Sequence, residues 1–243
     1  MYSLQDIKNS RSAQKRYIDK IDVWVFYVVR PLANLLTWIL LKLKLTANMA
    51  TLISTIIGII GEMLLITTSN IQTLVGLIFI NLWIVFDCID GNIARTTKHS
   101  NKLGEYYDGL SGYTFVAFLY LALGINVYLN YDMVIAGKNY SWLFIVIGSL
   151  ASMACIFPRL VEHKAGTLLE GYHSNIRDKD NYSLFYIVGL NIAGMAGLSN
   201  PLMIVAYFLN MLDKYLIFYF IVQMFIALYS IYKTLKGIRS RYR

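Results

Sequence analysis

Residues 71–95 read IQTLVGLIFINLWIVFDCIDGNIAR, an uncharged run that ends abruptly in two carboxylates, a glycine and an arginine. Ile71–Phe86 and its polar continuation approach the length that crosses a bilayer core, about 20 apolar residues or about 17 at the short limit. Five further stretches qualify: Ala47–Thr67, Leu110–Leu129, Tyr140–Phe157, Tyr182–Leu209 and Tyr215–Tyr232. The fifth span in chain order, Tyr182–Leu209, is overlong, and Asn200-Pro201 should kink or break it, because proline removes a donor. A seven-span count would require splitting it; six is the preferred reading.

Composition agrees. The chain has 243 residues, of which 57% are hydrophobic and only 15% charged, against roughly 45–50% and 25% in ordinary globular chains. Mean hydropathy is +0.53. Cys88 and Cys155 sit in or beside apolar segments, so no disulfide framework is expected.

The expected fold class is an all-α integral membrane six-helix transmembrane bundle with an N-terminal interfacial amphipathic helix. Met1–Lys20 is polar, without the apolar core of a cleavable signal peptide. Tyr17–Leu41 is apolar but cut by Asp19, Lys20, Asp22 and Arg30-Pro31. Its pieces, Trp24–Tyr27 and Leu35–Leu41, suit helices lying in the interface, a further span being the other reading. The chain therefore divides into residues 1–46, a cytoplasmic N-terminus with interfacial helices, a six-span domain over 47–232, and a basic tail over 233–243.

Lys and Arg fix the orientation. Eight precede the first span, three lie in the 2–3 loop, four in the 4–5 loop and five in the tail, leaving only Lys138 and Lys214 for the other side. The positive-inside rule places both termini and these two loops in the cytoplasm. The formal charge of +8 is thus spread along a membrane face, and nucleic acid is not an expected partner.

Acidic residues are scarce, so their clustering is informative. If the second helix continues past Phe86, Asp87, Asp90, Gly91 and Ala94 share one face. Carboxylates three apart repel unless a cation lies between them, and a hard divalent cation prefers oxygen ligands. Gly104, Asp108 and Gly112 repeat every four residues at the start of the third span. The connection is short, so the two helices are antiparallel neighbours and their faces can meet. Each acid alone reads as a solvated helix-end charge. Three on matched, glycine-lined faces at membrane depth read as a functional site.

These residues resemble a known signature. Asp87-x-x-Asp90-Gly91-x-x-Ala94-Arg95, eight residues, then Gly104-x-x-x-Asp108 is similar to the motif of the CDP-alcohol phosphotransferase (CDP-alcohol phosphatidyltransferase) family, with seven of eight fixed positions present. The resemblance implies a membrane-embedded transferase, in phospholipid biosynthesis and lipid metabolism, that moves a phospho-alcohol from a CDP-linked alcohol to a second alcohol and releases CMP. One of the two substrates is a lipid. It also implies that Asp87, Asp90 and Asp108 hold Mg2+ (or Mn2+), that Asp87 and Asp108 are catalytic, that Gly91, Ala94 and Gly104 admit the nucleotide, and that Arg95 contacts its phosphates. A homodimer in a bacterial or archaeal cell membrane is the implied assembly, and small residues (Gly58, Gly61, Gly189, Gly194, Gly197) would permit close helix contact.

One position departs. The family's fourth aspartate, which completes a second metal site and is a proposed base, falls on Gly112. Glu105 is no simple replacement, lying about 10 Å along the axis from position 112. Three explanations stand: a weakened metal site with Glu105 or His99 assisting catalysis, an acceptor that arrives already ionised, or lost catalysis in a protein that binds CDP-nucleotide or lipid.

Cations of the 4–5 side, Arg159, His163, Lys164 and Arg177, are candidates for an acceptor pocket, with Arg159 the best placed to reach the shared cavity. His173 reads as loop, and Glu62 as a carboxyl hydrogen-bonded to a neighbouring helix. The motif recognises a CDP-pyrophosphate and leaves open whether the donor or the acceptor is the lipid; the missing aspartate tilts toward a soluble CDP-headgroup donor. A transporter should show inverted repeats and breaks near the midplane, and the only break, Pro201, is remote from the acids.

Overall fold

The computed structural model describes residues 2–168, 182 and 184–241. A short arm comes first: α1 (Leu4–Asn9), closed by a Ser3/Asp6 capping box, and α2 (Ala13–Ile21), capped by Ser12. A π-helical turn, Val25–Val29, runs without a break into α3 (Arg30–Lys42), and Pro31 removes one N–H donor at the junction where the π turn ends. Then follow α4 (Ala47–Leu65), α5 (Asn70–Thr97), α6 (Lys102–Asn130), a small hairpin of β1 (Val134–Ile135) and β2 (Lys138–Asn139), α7 (Leu143–Leu168), α8 (Leu184–Ala193), α9 (Ser199–Phe208) and α10 (Leu212–Arg241).

α4 packs along α5 and α6, α3 covers the other flank of α5, and α7 bridges α6 to α10. α5 and α6, expected to be direct neighbours, are held together mainly through α4, which packs along both, and they meet through side chains. Trp83 and Phe115 stack with ring centroids 3.7 Å apart, over a bare Gly58 whose added Cβ would come within 2.8 Å of the indole. Gly58 and Gly61 are therefore used inside the protomer, Gly61 against Gly76 and Phe79 of α5.

Among the described residues six helices are long and apolar enough to cross a membrane, but their membership differs from the expected six. Val25–Lys42, expected to lie in the interface, qualifies by length and composition. The expected fifth span, Tyr182–Leu209, is instead two ten-residue helices, α8 and α9, each about 15 Å long against a core of about 30 Å. The chain unwinds over 194–198, ahead of Asn200-Pro201. Pro201 itself falls in the first turn of α9, where a missing N–H is harmless.

Carbonyls freed by the break must be satisfied where no water reaches them, and α10 supplies the donors. Tyr219 Oη donates to Ile192 O (2.9 Å), Gln223 Nε2 to Ala193 O (3.1 Å) and Tyr215 Oη to Ser199 O (2.8 Å). Positions 215, 219 and 223 recur every four residues, so one face of α10 holds the broken segment.

Glu62 of α4 is 4% exposed and its Oε1 has no hydrogen-bond partner among the described residues. The expected bond to a neighbouring helix is thus absent.

Candidate active site

α5 continues past Phe86 to Thr97, as the paired carboxylates require, and ends on Lys98 in the left-handed region (φ 56°). The Lys98 N–H returns to Ala94 O and Arg95 O, and His99 N–H to Ala94 O at 3.1 Å, the satisfaction of terminal carbonyls that closes a helix. Asn101 then caps α6 through Gly104 N–H (2.7 Å). This tight link turns α6 back beside α5.

Between the two helices and the first turn of α4 lies a cavity of about 290 Å³. α5 lines it with Asp90, Gly91, Ala94 and Arg95, α6 with Gly104, Glu105 and Asp108, and α4 with Ala47, Asn48 and Thr51; His99, Ser100 and Asn101 form its rim. Eight sequence-derived candidates thus share one hollow: Asp90, Gly91, Ala94, Arg95, His99, Gly104, Glu105 and Asp108.

Asp90 is buried and fixed. Thr51 Oγ1 donates to its Oδ2 at 2.7 Å, and the Gly91 N–H to its Oδ1. The Arg95 guanidinium folds back over Gly91, donating from Nη2 to Asn92 Oδ1 at 3.2 Å. A Cβ at position 91 would stand 2.9 Å from Arg95 Nη1, so glycine leaves that space to the arginine.

Asp87 is placed differently. One turn back along α5 and half-buried, it is not part of the cavity wall. It lies within electrostatic reach of Asp90 and Asp108 on one side and of Lys15 and Arg30 on the other. Among the described residues neither Asp87 nor Asp90 forms an ion pair; the two ion pairs present both belong to Asp19. Uncompensated hard oxygens of this kind suit a divalent cation. In these rotamers no three His, Cys, Asp or Glu side chains of the described residues converge tightly enough to hold one.

Gly112 faces open space, with nothing within 4 Å of an added Cβ. Arg159 is exposed on α7 and is not part of the cavity wall; its guanidinium lies 6.0 Å from the Tyr113 ring, whose hydroxyl shares a hydrogen bond with His163 Nε2 (3.0 Å). Arg177 and His173 lie outside the described residues.

The α4 contribution was missed from the sequence. A signal was there: Thr51, Ser54 and Thr55 form a polar stripe in an apolar helix, and they bond Asp90 and Ser111 (Thr55 Oγ1 to Ser111 Oγ, 2.8 Å).

No curated protein matches the chain. A family model for CDP-alcohol phosphatidyltransferase matches residues 31–227, which takes in α3 from its second residue, α4 to α9, the cavity and the first half of α10. With most of its length inside that match, the chain belongs to the CDP-alcohol phosphatidyltransferase family.

Proposed function

We propose that this protein transfers a phospho-alcohol group from a CDP-linked alcohol to an alcohol acceptor, one of the two a lipid, and that the transfer depends on Mg2+ or Mn2+. The observation that carries the reading is the single hollow shared by Asp90, Gly91, Ala94, Arg95, Gly104 and Asp108. Its smooth walls admit a nucleotide against two helix backbones, and the Arg95 guanidinium meets the phosphates as a planar donor.

In the reaction the acceptor hydroxyl oxygen bonds to the phosphorus that carries the donor's alcohol. The bond from that phosphorus to the bridging oxygen breaks, and CMP departs with the oxygen. Glu105 and His99, both on the cavity wall, are the groups within this site able to take the hydroxyl proton, since position 112 carries no carboxylate. Asp87, Asp90 and Asp108 would hold the cation, which when bound neutralises pyrophosphate charge. Gly91 leaves room for the Arg95 guanidinium, and Thr51 holds the Asp90 carboxylate in place. Arg159 would reach the acceptor from α7, and the cavity would face the cytoplasm, with the protein working as a homodimer.

The test is CMP release by purified protein given a panel of CDP-alcohols and acceptors. Asp87→Asn and Asp108→Asn should each lower the rate about a hundredfold or more, the scale for losing a charge-stabilising group, and should weaken divalent-metal binding. Unchanged metal and cytidine-nucleotide binding in both variants would overturn the site. Gly112 favours one second reading: nucleotide binding with no CMP release from any pair would mark a family member that binds without catalysis.

A further inference from the structure

A second polar cluster lies beside the cavity, built by the N-terminal arm. Arg11 donates from Nη1 to Asp19 Oδ2 (3.0 Å) and Arg30 from Nη2 to Asp19 Oδ1 (2.8 Å). One carboxylate therefore serves two guanidinium groups that are each more than nine-tenths buried, at 8% and 6% exposure. Lys15, one turn before Asp19 on α2 and half-buried, lies within electrostatic reach of Arg30, Asp19, Cys88 and Arg95. Burial and the Arg30 charge hold its ammonium below the usual lysine range.

The donors outnumber the acceptors. Arg30 Nε and Nη1, Arg11 Nε and Arg95 Nε are all buried without a hydrogen-bond partner among the described residues. Unmade bonds of buried charged donors are costly, and a buried cation without its full complement of acceptors costs more. Asp87, the other acid in reach of Lys15 and Arg30, forms no ion pair with either among the described residues. The arm is anchored independently of this cluster: Asn191 of α8 donates to Ile21 O (2.7 Å) and accepts from Val23 N–H (2.8 Å).

We propose that Arg11, Lys15, Arg30 and Arg95 form an anion site that takes a phosphate group, either of a free phosphomonoester or of a lipid headgroup. Guanidinium forks match phosphate oxygens in pairs, and the ammonium adds a point charge. Of the four residues only Arg95 also lines the cavity, so the two sites are neighbours that share one side chain. The inference concerns binding and does not depend on the transfer reaction.

The experiment uses the full chain in phosphatidylcholine nanodiscs without CDP. Inorganic phosphate is titrated against chloride at equal ionic strength, and a parallel sample carries phosphatidic acid in the nanodisc. Expected is a rise in melting temperature with one of the two. A response to inorganic phosphate assigns a free anion, and a response to phosphatidic acid alone assigns a lipid phosphate. Lys15→Gln, which removes no ion pair, should weaken the response at least tenfold; Arg30→Gln should do the same if it folds. No response in either sample, an unchanged response in Lys15→Gln, or complete displacement of phosphate by CDP would overturn the site. CMP release is followed alongside: its absence with phosphate binding intact counts against the transferase reading alone, and its presence without phosphate binding counts against this site alone.

Discussion

Gly91 and Gly112 lack side chains for opposite physical reasons, and each carries a prediction. At position 91 the missing Cβ makes room for the Arg95 guanidinium, 2.9 Å from where the carbon would stand. That neighbour is the end of a flexible side chain, so Gly91→Ala should fold normally and displace the arginine. Cytidine-nucleotide affinity should fall about tenfold, near 1.4 kcal/mol, measured by calorimetric titration with CDP; unchanged affinity would remove Arg95 from the phosphate site. At position 112 the space is open, so Gly112→Asp meets no steric barrier and would add a fourth carboxylate to the proposed metal site. Divalent-metal affinity should rise, read by titration of Mn2+. If it does not, position 112 does not face the metal.

Elements meet where side chains are smallest or where a polar group is forced inside. α6 and α7 cross so closely at Gly124 and Gly148 that a Cβ on Gly148 would stand 2.2 Å from Tyr120 O. Backbone cannot yield as a side chain can, so Gly148→Ala should destabilise by about 1–3 kcal/mol or more, seen as a lower melting temperature in detergent with the spectrum still helical. Asp22, at the joint of α2 and the π-helical turn, accepts from Val25 N–H (3.1 Å), and burial raises its carboxyl above the ordinary Asp range. The folded chain therefore holds that proton at a pH where the unfolded chain has lost it, and stability falls as pH climbs from the ordinary Asp value through the raised one. Asp22→Asn keeps a cap oxygen and should flatten that slope in melts recorded from pH 4 upward. The sequence discloses the α5–α6 pair because both carboxylate faces and the short link are local features of the chain. It does not disclose where the fifth span breaks. Pro201 is the visible breaker, yet the unwinding lies at 194–198, where Gly194 and Gly197 leave no room for a Cβ beside Leu190 O and Asn191 O, and Tyr215, Tyr219 and Gln223, up to 30 positions away, donate to carbonyls around the break. The polar stripe of Thr51, Ser54 and Thr55 is legible in α4, but its partner Asp90 becomes visible only once α4 is docked against α5.

At the scale of the whole molecule the charges and the helix directions point the same way. α6 leaves the cavity at Lys102 and reaches the far end of the bundle at Asn130, where the hairpin bearing Lys138 follows. Tyr131 Oη donates to Asn210 Oδ1 at 2.9 Å, which brings the start of α10, and Lys214, to that same end. The two basic residues left over from the cytoplasmic count therefore sit together, remote from Asp90 and Asp108. With the orientation proposed from the positive-inside rule, the site would lie at the inner leaflet and a lipid substrate would enter from the cytoplasmic side. Cysteine labelling tests it. In a chain with Cys88 and Cys155 replaced by serine, Lys138→Cys and Lys102→Cys each place one thiol at an exposed position, on opposite ends of α6. A membrane-impermeant maleimide applied to intact cells should label Lys138→Cys before lysis and Lys102→Cys only afterwards. The reverse pattern would put the cavity outside, where CDP-linked donors made in the cytoplasm could not reach it, and would leave Arg159 and the other cations beside α7 facing away from the anionic inner surface.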